Sequence, residues 1–259
     1  MSQYGILDPG ILFSHFTNPT IEDSELLLKS ESYVSSTPST EMQMGFGKPV
    51  AFDPDHNTQS NCSLGADCHS NNSASIISEM RLLLQSSRSA YDQRFVDKGL
   101  VPKTMYKTVE EAFNLGTING AKAIGMEDKI GSLAVGKLAD IVVFDGLSPS
   151  MICGAQHDPL AAVVIHSSPG DIELVVIDGV VRKSGTALKP VYTTAGKEIW
   201  ADKEAADLGD LSWKDIARNL VERRKGIQKK FDKLDLEEAR SGAIKAFYID
   251  ESKISDKLE

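Results

Sequence analysis

Apolar residues in this chain fall into blocks of two different periods. Residues 10–14, 33–36 and 62–67 are short apolar runs closed by polar residues or proline, and each reads as a buried strand. Helical spacing lies between and after them. Thr20 follows the breaker Asn18-Pro19 and can cap a helix, with Asp23 in the acidic position of a capping box and Ile21, Leu26, Leu27 and Leu28 as the apolar face. Thr37-Pro38 stops the second strand, giving a strand–helix–strand unit with a right-handed crossover. Residues 73–98 carry Ile76, Ile77, Met80, Leu83, Leu84 and Phe95 at helical spacing. A further helix is expected over 108–124, with Thr108 and Glu111 in a second capping box. The connection 38–61 offers one helical turn, over 40–45; a loop of that length is usually disordered or functional.

The pattern changes at Met126. Short β-rich runs follow at 141–144, 161–165, 172–177 and 180–182, divided by glycines and polar turns. Asp178-Gly179 between the last two is a two-residue hairpin signal, so a small, mostly antiparallel sheet is expected. From about Ile199 the chain is charged and helical. Residues 211–236 carry Trp213, Ile216, Leu220, Ile227 and Phe231 on one side and many Lys and Arg on the other, as in a solvated helix with one docking face. Three segments result: 1–125, 126–195 and 196–259. No internal repeat, P-loop, dinucleotide fingerprint or Cys-rich zinc knot is present in the 259 residues.

Composition narrows the class. Hydrophobic content is 41% and charged content 25%, ordinary for a soluble globular protein. A net charge of −9 argues against nucleic acid or an anionic membrane as the main partner. No apolar run approaches the roughly 20 residues that span a bilayer. The N-terminus lacks the basic and apolar regions of a signal peptide. Three cysteines, Cys62, Cys68 and Cys153, without C-x-x-C spacing read as reduced thiols, so a cytoplasmic location is expected.

One stretch carries candidate chemistry. The run 62–67 ends in Asp67, polar residues follow, and then a clear amphipathic helix begins. An acid at the carboxyl end of a buried strand either caps a turn or sits where α/β proteins place working groups. His15 stands at the end of the first strand in the same way, as a capping or surface histidine or as a working one.

The segments SLGADCHSNNSASIISEMRLLLQSSR (63–88), GILFSHFTNPTIEDSELLLKSESYVSSTPSTEMQMGFGKPV (10–50) and TVEEAFNLGTINGAKAIGMEDKIGSLAVGKLADIVVFD (108–145) together resemble the amidohydrolase superfamily. They are most similar to its cytosine deaminase/chlorohydrolase group, which includes triazine hydrolases and S-adenosylhomocysteine and guanine deaminases. Gly131-Ser132-Leu133, Gly136-Lys137 and Ala139-Asp140 in order are the most specific match, and about residues 8–185 are covered. The resemblance implies an α/β fold: strands six to eight of a (β/α)8 barrel with their helices in 1–125, part of a small β-sandwich in 126–195, and a charged helical tail outside the match. It implies metal-dependent hydrolysis of a non-peptide carbon–nitrogen bond in a small cyclic or amide substrate. The divalent metal, zinc in preference to iron, lowers the pKa of bound water. Asp67 matches the acid after strand eight that ligates the metal and hydrogen-bonds the nucleophilic water. His15 matches the histidine after strand six that polarises the bond under attack or shuttles a proton. Thr37 and Glu41 fall where the family builds its substrate pocket, although Glu41 reads equally as a solvated loop acid. Cys68 and His69 adjoin Asp67 and can line the same pocket.

The departures matter as much. The family has an H-x-H pair after strand one and a histidine motif with a general acid/base Glu at strand five, and neither occurs here. The five histidines are His15, His56, His69, His157 and His166, the last two in the β-rich segment. A full barrel takes about 250 residues; three parallel strands cannot close one and leave an unpaired edge. The expectation is therefore the C-terminal part of such a hydrolase, inactive by itself. Its partners would be a complementing N-terminal half or a second copy in a homo-oligomer. The alternative is a non-catalytic remnant that binds a partner or regulates one. A new, weak metal site made by His56, His69 and Asp67 is a further option.

Overall fold

The computed structural model describes residues 4–45, 47–192 and 210–255. Three strands, β1 (Leu12–Ser14), β2 (Tyr33–Ser36) and β3 (Cys62–Leu64), form a parallel sheet in that order. Leu12 lies opposite Tyr33, and Val34 opposite Cys62. All three residues of β3 are buried, as in a strand covered on both faces. Among the described residues β1 pairs with β2 alone, so its other side is an open edge.

Between β1 and β2 runs α1 (Ile21–Lys29). Its capping box forms as expected: Thr20 Oγ1 accepts from the Asp23 amide, and the Asp23 carboxylate accepts from the Thr20 amide. A short helix, α2 (Pro38–Gln43), starts directly after β2 with Pro38 in its first turn, where a missing N–H costs nothing. The rest of the 38–61 connection is packed rather than structureless. The apolar triplet Val50-Ala51-Phe52 forms a 3-10 turn and is buried in the core.

After β3 come α3 (Ile76–Val96), α4 (Val109–Leu115) and α5 (Ile118–Ala123). The single helix expected over 108–124 is interrupted at Gly116-Thr117. A Cβ on Gly116 would run into the Met80 side chain, and Thr117 leaves the helical region at φ −131°, ψ −97°. Core contacts gather Leu27, Val34, Phe52, Met80, Leu83 and Leu115 between sheet and helices.

The glycine- and lysine-rich exit is a structural device. Gly131 packs so closely on α5 that a Cβ there would lie 2.6 Å from Ala121 Cβ. The Lys137 ammonium gathers the loop by donating to the carbonyls of Glu127 and Ile130 and to Ser132 Oγ. Asp140 Oδ1 then accepts from the Asp178 amide at 2.7 Å, and Gly179 N–H donates to the Ala139 carbonyl. These bonds pin the hairpin turn between β5 (Ile172–Ile177) and β6 (Val180–Ser184) beside the start of β4 (Ile141–Phe144). Asp178 (φ +49°) and Gly179 (φ +74°) both adopt the left-handed conformation that this turn requires. β4, β5 and β6 are antiparallel neighbours, as the sequence suggested.

The run 161–165 is a correction: it is helical, not a strand. Asp158 caps Pro159–Ala161, and the chain continues through a π-helical turn, Ala162–His166. A short β-branched run has no periodicity to separate strand from buried helix, and the Asp158-Pro159 start signal decides it. Arg81 of α3 fixes the turn by donating to the carbonyls of Val164 (2.9 Å) and Ser167 (2.5 Å).

The chain divides into Met1–Ala187 and Leu188–Glu259. The boundary expected between 1–125 and 126–195 falls inside the first unit. In the second, the helix expected over 211–236 is Trp213–Phe231, followed by a separate helix, Leu236–Ala246, capped by Asp235. Trp213, Leu220, Ile227 and Phe231 are exposed. The earlier part of the tail, 193–209, lies outside the described residues. Among the described residues no helix is long and apolar enough to cross a membrane.

Leu83 is fully buried at the centre of the core. Replacing it with Ala should cost about 2–5 kcal/mol of unfolding free energy, readable from urea titration with an unchanged slope.

Candidate active site

Parallel strands place all their carboxyl ends on one side. The chain leaving β1 keeps one more sheet bond, His15 N–H to the Ser35 carbonyl at 3.1 Å, and His15 itself takes φ +68°. At the neighbouring strand end stand Ser36, Thr37 and α2. Gly65, just past β3, donates its N–H to the Ser36 carbonyl at 2.8 Å. A Cβ there would lie 2.6 Å from Ser35 Oγ and 3.1 Å from Thr37 Cγ2, so glycine lets the two strand ends approach.

Around this junction three expected residues meet. His15 Nδ1 lies 2.9 Å from Thr37 Oγ1 and 3.6 Å from Glu41 Oε1. The His15 side chain is 29% exposed and that of Glu41 1%. Glu41 is therefore neither a solvated loop acid nor an open pocket wall. Its Oε1 accepts from the Thr37 amide at 2.8 Å and its Oε2 from the Ser36 hydroxyl at 2.9 Å. Burial raises the Glu41 pKa; the Thr37 amide, the Ser36 hydroxyl and His15 oppose that rise without cancelling it.

A second buried carboxylate, Glu79 of α3, was not foreseen. It accepts from the Ser39 amide (2.9 Å) and the Ser39 hydroxyl (2.5 Å), which holds the first turn of α2. The signal was present: Glu79 falls three residues after Ile76 and four before Leu83, on the apolar face of its helix. Asn72 adds a bond from its Nδ2 to Thr40 Oγ1.

The loop after β3 is arranged differently. β3 ends at Leu64, and Asp67 stands beyond it at φ +49°, a conformation that aspartate tolerates better than most residues. Asp67, Cys68 and His69 are all exposed. The Cys68 thiol is hydrogen-bonded to Ser70, which lowers its pKa. Cys62, by contrast, is buried in β3 and its thiol is pushed up to about 12. Among the described residues no three His, Cys, Asp or Glu side chains come together where a metal could bind. That also removes the His56–His69–Asp67 option: His56 Nδ1 is engaged with Ser24 Oγ of α1 at 2.8 Å. The structure thus joins His15, Thr37 and Glu41, and leaves Asp67 and His69 on an open loop.

Comparison with known proteins adds the following. A sequence model described as Amidohydrolase family matches residues 1–182. The 5'-deoxyadenosine deaminase of Methanobrevibacter smithii is 28% identical over 216 residues, covering 80% of this chain and 46% of that protein. The 5-methylthioadenosine/S-adenosylhomocysteine deaminase of Pyrococcus horikoshii is 30% identical over 185 residues, covering 69% and 39%. Among solved structures, an adenosine deaminase from Xanthomonas campestris with bound zinc superposes with a TM-score of 0.62 at 22% identity, covering 72% of this chain and 40% of that one. Atrazine chlorohydrolase from Arthrobacter aurescens complexed with zinc gives 0.60 at 18% identity, covering 71% and 38%. The chain spans less than half the length of the relatives it matches.

Two outcomes test the site's electrostatics. A carboxylic acid whose pKa rises on folding contributes stability that is full below its unfolded value and is lost as pH rises through its folded value. For Glu41 that loss begins above 4.5. Glu41→Gln keeps an acceptor for the Thr37 amide and removes the buried charge. It should therefore melt higher than wild type at about pH 8, with the gain disappearing at about pH 4. Glu79→Ala strands the Ser39 amide and hydroxyl and should cost about 1–3 kcal/mol for each donor left buried, measured by chemical denaturation.

Proposed function

The chain belongs to the amidohydrolase family, and from that premise we propose that it forms the strand-six-to-eight part of a metal-dependent hydrolase that removes an amino group from a small cyclic substrate. The observation that supports this is the meeting of His15, Thr37 and Glu41 at the carboxyl ends of parallel strands. The deaminase relatives suggest an adenosine-type nucleoside as the substrate class. In the proposed reaction, water oxygen bonds to the carbon that carries the amino group. The carbon–nitrogen bond breaks, and ammonia leaves after the nitrogen has gained a proton. His15 suits that transfer because an imidazole nitrogen can accept a proton and give it up again. Asp67, at the strand end beyond β3, is proposed to accept a hydrogen bond from the attacking water, with Thr37 and His69 bordering the substrate.

A divalent metal, zinc before iron, is proposed for the assembled enzyme, and two of the similar structures are described with zinc. The donor set of the described residues does not by itself fit one: Asp67 is a single exposed carboxylate without two companions. The remaining donors are proposed to come with further strands, joined to the open edge of β1 by a complementing N-terminal half. The four-residue β4 and its neighbours, with Val142, Val143, Ile177, Val180 and Val181 exposed, are read as the part of a β-sandwich that the same half would cover.

An ammonia-release screen over 5'-deoxyadenosine, 5-methylthioadenosine, S-adenosylhomocysteine, guanine and aminotriazines, with zinc supplied, tests this. The chain alone should show no turnover. Co-expressed with a polypeptide bearing the H-x-H and strand-five histidine elements, it should turn over one of these substrates and lose activity in His15→Ala and Asp67→Ala. Enzyme-like turnover by the chain alone would overturn the need for a second half. No turnover in any assembly would favour a partner-binding remnant.

A further inference from the structure

The two nitrogens of a neutral imidazole are not equivalent, since one carries the proton and the other the lone pair, and the partner of the first decides which. At His15 the Nδ1 side is crowded with oxygen: Thr37 Oγ1 at 2.9 Å and Glu41 Oε1 at 3.6 Å. The hydroxyl could donate or accept, but the carboxylate oxygen only accepts. Its charge beside Nδ1 favours a proton on that nitrogen, with the Thr37 hydroxyl accepting from it. The carboxylate cannot swing away. Oε1 holds the Thr37 amide, Oε2 holds the Ser36 hydroxyl, and the Glu41 backbone is tied by its own N–H to the Thr37 carbonyl. Nor can it reach a substrate, because its side chain is 1% exposed.

We propose that Glu41 is a positioning residue for His15. Through its Oε1 and the Thr37 hydroxyl it keeps the proton on Nδ1 and leaves Nε2 as the nitrogen that exchanges a proton with the reacting group. The inference deepens the reading of His15 as the proton-transfer group and rests on it for its catalytic meaning. Free imidazole favours the opposite tautomer, so the geometry has something to overcome. It also gives Thr37 a role in orienting the ring, beyond bordering a pocket.

Nitrogen-15 NMR of histidine-labelled full chain at about pH 8 reads the tautomer directly, without turnover, so it holds or fails independently of the hydrolase reading. Wild type should show His15 mainly with the proton on Nδ1. Glu41→Gln should lower the ratio of Nδ1–H to Nε2–H several-fold while the backbone amide spectrum stays native. Thr37→Val should lower it as well, and Thr37→Ser should restore it. A wild-type His15 mainly protonated on Nε2, or a ratio unchanged in both Glu41→Gln and Thr37→Val, would overturn the proposal. If Glu41→Gln does not fold, the wild-type tautomer and the Thr37 pair still decide it.

Discussion

A carboxylate sealed from water must have its oxygens met by donors, or the fold around it fails. Glu41 imposes that condition on the carboxyl end of β2. The Ser36 hydroxyl, on the last residue of β2, and the Thr37 amide, at the N-cap of α2, satisfy it. Glu79 holds the first turn of α2 in the same way through Ser39. A six-residue helix has little stability of its own, because nucleation is costly and few bonds follow. Here two buried acids hold its start through hydrogen bonds, and Pro38 fits its first turn. Once α2 is fixed, Thr37 is fixed, and the His15 ring that bonds to it is held at the neighbouring strand end.

The same logic of close approach runs from this junction to the exit of the sheet. Gly65 allows β3 to lie against Ser35 and Thr37, and Gly131 allows the exit loop to lie against α5. Lys137 ties that loop through backbone carbonyls, and Asp140 ties the distant hairpin turn through a backbone amide. Residues that looked like a family signature are thus explained by what they hold. None of them needs to touch a substrate to be required.

Much of the first unit was legible in the sequence. Thr20 with Asp23 and Thr108 with Glu111 named their helix starts because a capping box is a local, four-residue device. Asp178-Gly179 named a hairpin for the same reason. The failures have two causes. The run 161–165 lacked periodicity, the helix over 108–124 breaks at Gly116-Thr117 where Met80 leaves no room for a Cβ, and Val50-Ala51-Phe52 packs into the core with α3 and sheet residues. The first turned on a start signal just ahead of the run, Asp158-Pro159; the other two involve packing partners far away in the chain.

The site divides along the same line. By itself the sequence placed His15 and Thr37 at strand ends, since strand spacing and breakers are local; it also ran the third strand on to Asp67, three residues past where β3 stops at Leu64. It also determined which family the pattern belongs to, since the Gly131–Asp140 motif is contiguous. Only the tertiary structure decided that Glu41 is buried against His15 instead of facing solvent, that Glu79 clamps α2 from another helix, and that Asp67 lies exposed on its loop. Burial and tautomer are set by neighbours in space, 22 and 40 residues apart in the pairs that matter here, and no local spacing encodes them.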